Sequence, residues 1–360
     1  MIRTVAIYGA GAIGGWLGVR LAQAGCEVSV VARGATLEAL QRHGLRLESA
    51  LPGANIAGAS TPVPTEPASV PAEPVEATSP VAPPRTVFSA TVRASADPAD
   101  LGVQDLVIVA VKAPAMADVA KAIGPLIGPD TIVLTAMNGV PWWFFEGFGE
   151  QFAGTRLQAV DPDGAIAQAI PARHIVGCVV HASCSLRSPG FVQQHFGNKL
   201  IVGEPSGEQT ARIKELVTLL TQAGFDTVLS DQIQKDAWYK LWGNMTVNPI
   251  SALTGATTDR IMDDDLVCGF ISAVMLEARE IGARIGIPIA QQPEDRHQVT
   301  RKLGAFKTSM LQDVEAGRPV ELDALVTVVR KLGQLTQVPT PFTDALLGLA
   351  RLQAQVRGLY

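Results

Sequence analysis

Three polar side chains recur at intervals of four residues within an otherwise apolar stretch. The segment 238–249 reads WYKLWGNMTVNP and carries Lys240, Asn244 and Asn248. Because a helix turns about 100° per residue, a step of four advances the side chain by only about 40°, so the three would share one helix face. A lysine and two amides on one face can donate a proton and hydrogen bonds to a ligand, or they can simply face solvent. The elements that would position this face decide between the two interpretations.

A glycine-rich turn near the amino terminus has the order Gly-x-Gly-x-x-Gly. The apolar run 3–8 precedes it, a helical pattern follows, and a second apolar run begins at residue 27. A strand, three glycines, a helix and a strand within ~30 residues are typical of a dinucleotide-binding fold, in which the backbone approaches a pyrophosphate at the helix start. The predicted cofactor-binding residues in this turn are Gly9, Ala10, Gly11, Ala12, Ile13 and Gly14.

Arg33 follows the second predicted strand, at the place where NAD sites usually carry an acid for the ribose 2′-hydroxyl. A guanidinium suits the 2′-phosphate of NADP instead, because its planar fork can pair with a phosphate. The sequence therefore favours NADP(H). The alternative is that Arg33 is a solvated residue at the start of a loop.

Two polar residues lie at the ends of apolar runs that are typical of buried parallel strands. Lys112 ends the run in DLVIVAVKA (105–113), and Asn138 ends the run in TIVLTAMNGV (131–140). Ligands of doubly wound sheets bind beyond the carboxyl ends of the strands, so these residues indicate a cleft. Further strand-like runs at 174–183, 190–196 and 199–205 predict antiparallel strands that extend the sheet.

The chain has 360 residues, more than one core usually organises, and its patterns divide it in two. The predicted fold is α/β: a Rossmann-type dinucleotide-binding domain, residues 1–230, followed by an all-α domain, residues 231–360. Pro249 is predicted to stop or kink the helix that carries Lys240. Further helices are predicted over 262–286, 294–317, 319–337 and 341–356.

One segment of the first domain does not fit its alternation of predicted strands and helices. Residues 61–84 hold eight of the 24 prolines and no aromatic residue. Proline fixes φ and has no donor N–H, so neither helix nor sheet is expected there. The segment is predicted to be an extended or disordered surface insertion.

Composition excludes several classes of function. The net charge is −5, and no basic run is present, so nucleic acid is not an expected partner. No stretch offers the ~18 uninterrupted apolar residues of a membrane span. The four cysteines form no Cys-x-x-Cys pair, which argues against a zinc site or a disulfide framework. A cytoplasmic protein without a metal is therefore expected.

The motifs together resemble the ketopantoate reductases (2-dehydropantoate 2-reductases). The resemblance rests on GAGAIGG, VAVKA, MNGV, WYKLWGNMTVNPISALTGA and KTSMLQDVEAGRPVELDAL, which occur in this order and cover nearly the whole chain except the proline-rich segment. The last two are specific to this family, whereas the first is shared by very many proteins. The resemblance implies NADPH-dependent reduction of a branched 2-keto acid, and it favours the cleft over the solvated face for the Lys240 stripe.

The resemblance also implies roles for individual residues. Lys240 and Glu321 match catalytic residues, and Lys240 would act as the general acid. Lys112 matches a cofactor-binding cleft residue, and Asn138 contacts both cofactor and substrate. The matched substrate-binding residues are Asn138, Asn244, Asn248 and Ser309. The small-molecule partner is a 2-keto acid, and the oligomeric state is left open, with a homodimer as one candidate.

One segment departs from the family pattern. Residues 140–150 read VPWWFFEGFGE, with four consecutive aromatic residues directly after Asn138-Gly139. They would form either a hydrophobic plug against a partner subunit or domain, or a remodelled substrate entrance. The exact substrate therefore stays open, and the alternatives are a paralogue that reduces a bulkier 2-keto acid or a catalytically silent NADP(H)-sensing protein.

Overall fold

The computed structural model describes residues 1–51, 85–148 and 150–360. The predicted insertion at 61–84 lies outside the described residues. The strands are β1 (Thr4–Tyr8), β2 (Glu27–Val31), β3 (Leu45–Ser49), β4 (Thr86–Ala90), β5 (Arg93–Ser95), β6 (Gln104–Val109), β7 (Ile127–Thr135), β8 (Ile175–Ser188), β9 (Phe191–Gly203) and β10 (Asp226–Leu229).

All of these strands belong to one mixed sheet, in the order β4-β3-β9-β8-β7-β6-β1-β2-β5, with β10 also paired to β9. The neighbours β8, β7, β6, β1, β2 and β5 run parallel to one another. The strands β8 and β9 are antiparallel, which confirms the predicted antiparallel extension. Two of its predicted runs, 190–196 and 199–205, form the single strand β9 with Gly197 at φ 77° inside it.

The helices lie on both faces of the sheet and beyond it. They are α1 (Ala12–Gln23), α2 (Gly34–His43), α3 (Met116–Ala122), α4 (Ala165–Ala169), α5 (Ala211–Gln222), α6 (Ile233–Thr254), α7 (Thr258–Asp263), α8 (Asp265–Arg284), α9 (Pro293–Arg301), α10 (Ser309–Glu315), α11 (Val328–Thr336) and α12 (Pro341–Val356). Within the described residues, none of these helices is both long and apolar enough to cross a bilayer.

Three hydrophobic cores correspond to this arrangement. One lies between the sheet and helices α1 and α5, and a second lies on the opposite face under α3 and α4. The third is built from α6 and the helices that follow it. The predicted α/β domain followed by a helical domain is therefore confirmed. We propose the domain boundary between the end of β10 at Leu229 and the start of α6 at Ile233.

The helix that carries Lys240 does not stop at Pro249, contrary to one predicted alternative. It continues to Thr254 and ends at Gly255, which has φ 74°. Residues 245–252 are all buried, so packing on every side offsets the hydrogen bond that the proline cannot donate. The continuous helix keeps Lys240, Asn244 and Asn248 in one element.

Two of the other predicted helices are interrupted. The prediction of one helix over 294–317 is wrong, because the chain breaks between α9 and α10, where Gly304 has φ 61° and Thr308 caps α10 by accepting a hydrogen bond from the Leu311 amide at 3.2 Å. The predicted helix 319–337 starts late. Val320 lies outside the helix, and its amide donates to the Leu359 carbonyl, so Glu321 precedes a π-helical turn at Asp323–Thr327 and then α11.

Candidate active site

The glycine-rich turn joins β1 to α1 at the point where the sheet order changes direction. Strand β1 pairs with β2 on one side and with β6 on the other. Gly9 has φ 101°, and a Cβ atom on Gly14 would lie 2.0 Å from the Gly9 carbonyl oxygen, so both positions require glycine. A Cβ atom on Gly11 would meet no described atom within 4 Å, so space is open at the start of α1.

This turn suits the pyrophosphate of a dinucleotide. The first turn of α1 contains no acidic residue and Gly11 provides no side-chain cap, so backbone N–H groups at its start remain available for an anion. Arg33 follows β2, is exposed, and precedes α2. It forms no ion pair with any carboxylate in the part of the chain that the structure describes. Its charge is therefore free to meet a ligand phosphate beside the second strand.

Lys240 lies where the helical core meets the carboxyl edge of the sheet. Its ammonium group donates hydrogen bonds to Asn138 Oδ1 at 2.9 Å and to the Val180 carbonyl oxygen at 2.6 Å. Burial lowers the pKa of Lys240 to about 8; the charge of Arg296 also lowers it, while Cys178 and Glu321 act in the opposite direction. The amine therefore exchanges its proton far more readily than an ordinary lysine does.

Asn138 is positioned by its own tight turn. Gly139 has φ 86°, and a Cβ atom there would lie 2.4 Å from the Ala324 carbonyl oxygen of the π-helical turn. The Val140 amide donates to that same carbonyl at 2.9 Å. The strand end that carries Asn138 is thus fastened to the helical domain beside Lys240.

Glu321 approaches the same edge from the helical domain. Its side chain is buried and accepts a hydrogen bond from the Ala113 amide, just beyond β6, at 3.0 Å. Burial raises the pKa of Glu321, whereas the Ala113 amide and the charges of Lys112 and Lys240 lower it. The charges of Glu321 and Lys240 therefore influence each other.

Lys112, predicted to bind the cofactor, contacts the helical domain in this structure. Its ammonium forms an ion pair with Asp313 of α10, which also pairs with Arg318 Nε at 3.0 Å. Asp313 is buried, so this acid holds the end of β6 against α10. Sequence reasoning missed Asp313, although a lone acid within the apolar pattern of SMLQDV could have indicated a buried charge with a partner.

The remaining predicted substrate residues stand along α6 and α10. Asn244 is half-buried one turn beyond Lys240, Asn248 is buried one turn further, and Ser309 is exposed as the first residue of α10. Among the described residues, none of these three side chains has a hydrogen-bond partner. Their amide and hydroxyl groups are therefore available to a ligand.

A mostly apolar pocket opens beside Lys240, between the sheet and α6. Its polar lining comes from Thr135, Asn138, Lys240 and Asn244. Its apolar lining includes Val140, Trp142, Trp143, Cys178, Val179, Ile233, Ala237 and Leu241. Burial raises the pKa of the Cys178 thiol to about 12, so this residue acts as an apolar wall and not as a nucleophile at neutral pH.

The four consecutive aromatic residues are buried within this one chain. Trp142 and Trp143 line the pocket, and the Trp143 indole N–H donates to Thr135 Oγ1 at 3.1 Å. Phe144 and Phe145 pack into the helical core. The segment is therefore a plug between the two domains and a wall of the pocket, and the interpretation as a contact with a partner subunit is wrong for these four side chains.

No metal site accompanies these groups. In residues 1–51, 85–148 and 150–360, no group of three or more histidine, cysteine, aspartate or glutamate residues is placed to hold a metal ion.

Comparison with known proteins gives a consistent result over the whole chain. Residues 5–207 match the family model "Ketopantoate reductase PanE/ApbA", and residues 232–354 match "Ketopantoate reductase PanE/ApbA C terminal". A 2-dehydropantoate 2-reductase from Mesorhizobium japonicum is 41% identical over 99% of both chains.

Solved structures show the same fold. A protein from Ralstonia solanacearum MolK2, assigned as a ketopantoate reductase, is 52% identical with a TM-score of 0.86 over 100% of both chains. A ketopantoate reductase from Staphylococcus aureus that is described as dimeric is 19% identical with a TM-score of 0.68, over 99% of this chain and 100% of that one.

The first prediction concerns the titration of Lys240. In a ¹³C NMR titration of labelled lysines, Lys240 should titrate near 8, well below its ordinary value of 10.5. Glu321→Gln should lower the pKa of Lys240 further, because the Glu321 carboxylate favours the charged ammonium. The matched variant Glu315→Gln removes an exposed partner of Lys307 and should leave Lys240 unchanged. A Lys240 pKa near the ordinary value would contradict the burial.

Proposed function

The chain belongs to the ketopantoate reductase family, and from this premise we propose that it reduces 2-dehydropantoate to pantoate with NADPH as the hydride donor. The observation that carries the proposal is the half-buried Lys240 ammonium, which donates to Asn138 at 2.9 Å where the helical core meets the sheet edge. A 2-dehydropantoate 2-reductase needs a proton donor at this place, because the keto oxygen gains negative charge there.

The nicotinamide cofactor, when bound at the glycine-rich turn, supplies the hydride that the keto carbon accepts. Lys240 donates the proton to the keto oxygen and stabilises the developing alkoxide. A pKa near 8 keeps most of the lysine protonated at pH 7 while making it a better acid than an ordinary lysine. Asn138 and the Val180 carbonyl hold the ammonium in one orientation, so it need not reorganise during the reaction.

The other predicted residues hold the substrate. Asn244 and Asn248 donate amide hydrogen bonds from the same helix face without adding charge, and Ser309 offers a hydroxyl from α10. Glu321 tunes the charge on Lys240 and accepts a hydrogen bond from a substrate hydroxyl. The apolar pocket wall then excludes water from the reacting carbonyl.

The alternatives have less support. A silent NADP(H) sensor needs only the first domain, yet the free amides and Lys240 lie on α6 of the second. A paralogue with a bulkier substrate would fit the tryptophan-lined pocket, but the relative with 41% identity over 99% of both chains is a 2-dehydropantoate 2-reductase.

Lys240→Ala tests the reaction. Removal of a positioned proton donor should lower kcat by roughly 10²–10⁴-fold with 2-dehydropantoate, while NADPH affinity is retained. In the unchanged protein, kcat/KM for reduction should fall as the pH rises above about 8, because the reaction requires the protonated lysine. Lys235→Ala, on the exposed side of α6, is the matched control and should retain activity. In a panel of 2-keto acids, 2-dehydropantoate should have the highest kcat/KM. Normal turnover by Lys240→Ala would refute the mechanism.

The choice of cofactor is a separate prediction. The exposed guanidinium of Arg33 should favour NADPH over NADH by about 1.5–3 kcal/mol, the range for a charge-assisted hydrogen bond. Arg33→Ala should remove most of that preference in fluorescence titrations with both cofactors. Arg42→Ala, on the helix α2 that follows Arg33, is the control. Equal affinity of the unchanged protein for NADPH and NADH would refute the assignment.

We further propose a cytoplasmic homodimer formed through α12. Five exposed apolar residues recur at alternating steps of three and four along this helix: Phe342, Ala345, Leu349, Leu352 and Val356. Exposed Leu266 and Leu276 on α8 are further apolar residues for this surface, and the Phe270 and Phe342 rings join the two helices at 6.2 Å. A second copy would cover this surface from water. The cytoplasmic setting is supported by four unpaired cysteines.

Replacing both Leu349 and Leu352 with glutamate should convert the homodimer to a monomer in sedimentation velocity, because it puts charges into the apolar contact. Leu186→Glu, at an exposed site on β8, should leave the association state unchanged. A monomeric unchanged protein would exclude this surface as an interface.

A further inference from the structure

A second cationic side chain lies against the helix face that carries Lys240. Arg296 reaches from α9 to α6, and a Cβ atom on Gly243 would lie 2.5 Å from its Nε and 2.7 Å from one terminal nitrogen. The guanidinium carbon is 5.5 Å from the centre of the Tyr239 ring. The absence of a side chain at Gly243 therefore lets the guanidinium lie directly on the helix, one turn from Lys240.

The charge of Arg296 is not balanced by the protein around it. Among the described residues no carboxylate pairs with it, and its Nε is buried without a hydrogen-bond partner. Its titratable neighbours are Tyr239, whose hydroxyl hydrogen-bonds with the guanidinium, and Lys240 and His181, whose pKa values the guanidinium lowers. Burial is the main reason why the pKa of His181 falls to about 4, so that histidine is neutral at pH 7. A half-buried guanidinium beside another cation is costly unless an anion joins it.

We propose that Arg296 binds the carboxylate of the 2-keto acid while Lys240 meets its keto oxygen. The inference rests on the proposed function and extends it by one substrate-binding residue. In a 2-keto acid the carboxylate is bonded directly to the keto carbon, so the two anchors must stand only a few ångströms apart. Positions 240 and 243 are neighbours on one helix face, which meets that requirement. A guanidinium presents a planar fork of donors that matches a carboxylate.

This assignment separates Arg296 from the cofactor. The phosphates of the cofactor have a separate proposed binding site at the start of α1 and beside Arg33, both on the first domain. Arg296 belongs to the second domain and lies against α6 at Gly243, one turn from Lys240. The chemical class that it selects is therefore an α-keto carboxylate over the corresponding neutral ketone.

Arg296→Met keeps the apolar stem and removes the charge, so it tests the anchor. With 2-dehydropantoate, KM should rise roughly 10–100-fold with a smaller change in kcat, because a charge-assisted contact to bound substrate is lost. With the 2-keto amide of the same carbon skeleton, kcat/KM should hardly change. The Kd of NADPH should stay constant. Arg296→Lys should restore part of the affinity, and Arg301→Met, an exposed position on the same helix, is the matched control.

A second readout separates substrate binding by Arg296 from a merely structural role of this residue. Because Arg296 lowers the pKa of Lys240, its removal should shift the alkaline limb of the pH profile to higher pH. Gly243→Ala should raise KM in the same direction, since the added Cβ displaces the guanidinium. An equal loss for keto acid and keto amide, or a rise in the Kd of NADPH, would overturn the proposal.

Binding measurements distinguish failure of the anchor from failure of the proposed function. Calorimetry of the NADP⁺ complex with pantoate should show weaker binding by Arg296→Met and unchanged binding by Arg301→Met. If the unchanged protein reduces no 2-keto acid but this difference persists, the anchor stands and the reaction is wrong. If pantoate binds both variants equally, the anchor is wrong whatever the reaction.

Discussion

The ammonium group of Lys240 has to remain able to donate its proton although it is largely shielded from water. Much of the site follows from that constraint. The sheet provides two oxygen acceptors for it, the Asn138 amide and the Val180 carbonyl. Burial lowers its pKa to about 8, and Cys178 and Glu321 limit the shift. Neither domain could create this balance alone, because the lysine belongs to α6 and its acceptors belong to β7, β8 and their connections.

The segment 138–145 joins the two domains and thereby sets the geometry of the lysine. Val140 bonds to Ala324 of the π-helical turn, Trp143 bonds back to Thr135 of the sheet, and Phe144 fills the helical core. Asp313 adds a second fastening by pairing with Lys112 at the end of β6. A cleft with two such attachments on one edge is rigid where the reaction needs fixed distances. Arg296 belongs to neither attachment, because it approaches α6 from α9.

Local sequence patterns predicted which helices and strands form better than they predicted where each one begins and ends. The buried parallel strands, the glycine turn and the α6 stripe could be predicted because each depends on neighbours within a few residues. A helix end at Pro249, one of the two alternatives predicted there, and the single helix over 294–317 failed for opposite reasons. Burial of residues 245–252 overrides a local helix breaker, whereas Gly304 and the Thr308 cap break a continuous helical pattern.

The sequence by itself determined the chemistry that the chain can offer: three glycines at a strand end, Arg33 after the next strand, and a lysine with two amides on one helix face. Each of these depends on residue type and on the period of a helix or strand. Only the tertiary structure decided the partners. Lys112 meets Asp313, Lys240 meets Asn138, and Arg296 meets no acid in the described chain, although these residues are far apart in sequence. Such long-range contacts arise from packing of the two domains, which no local pattern encodes.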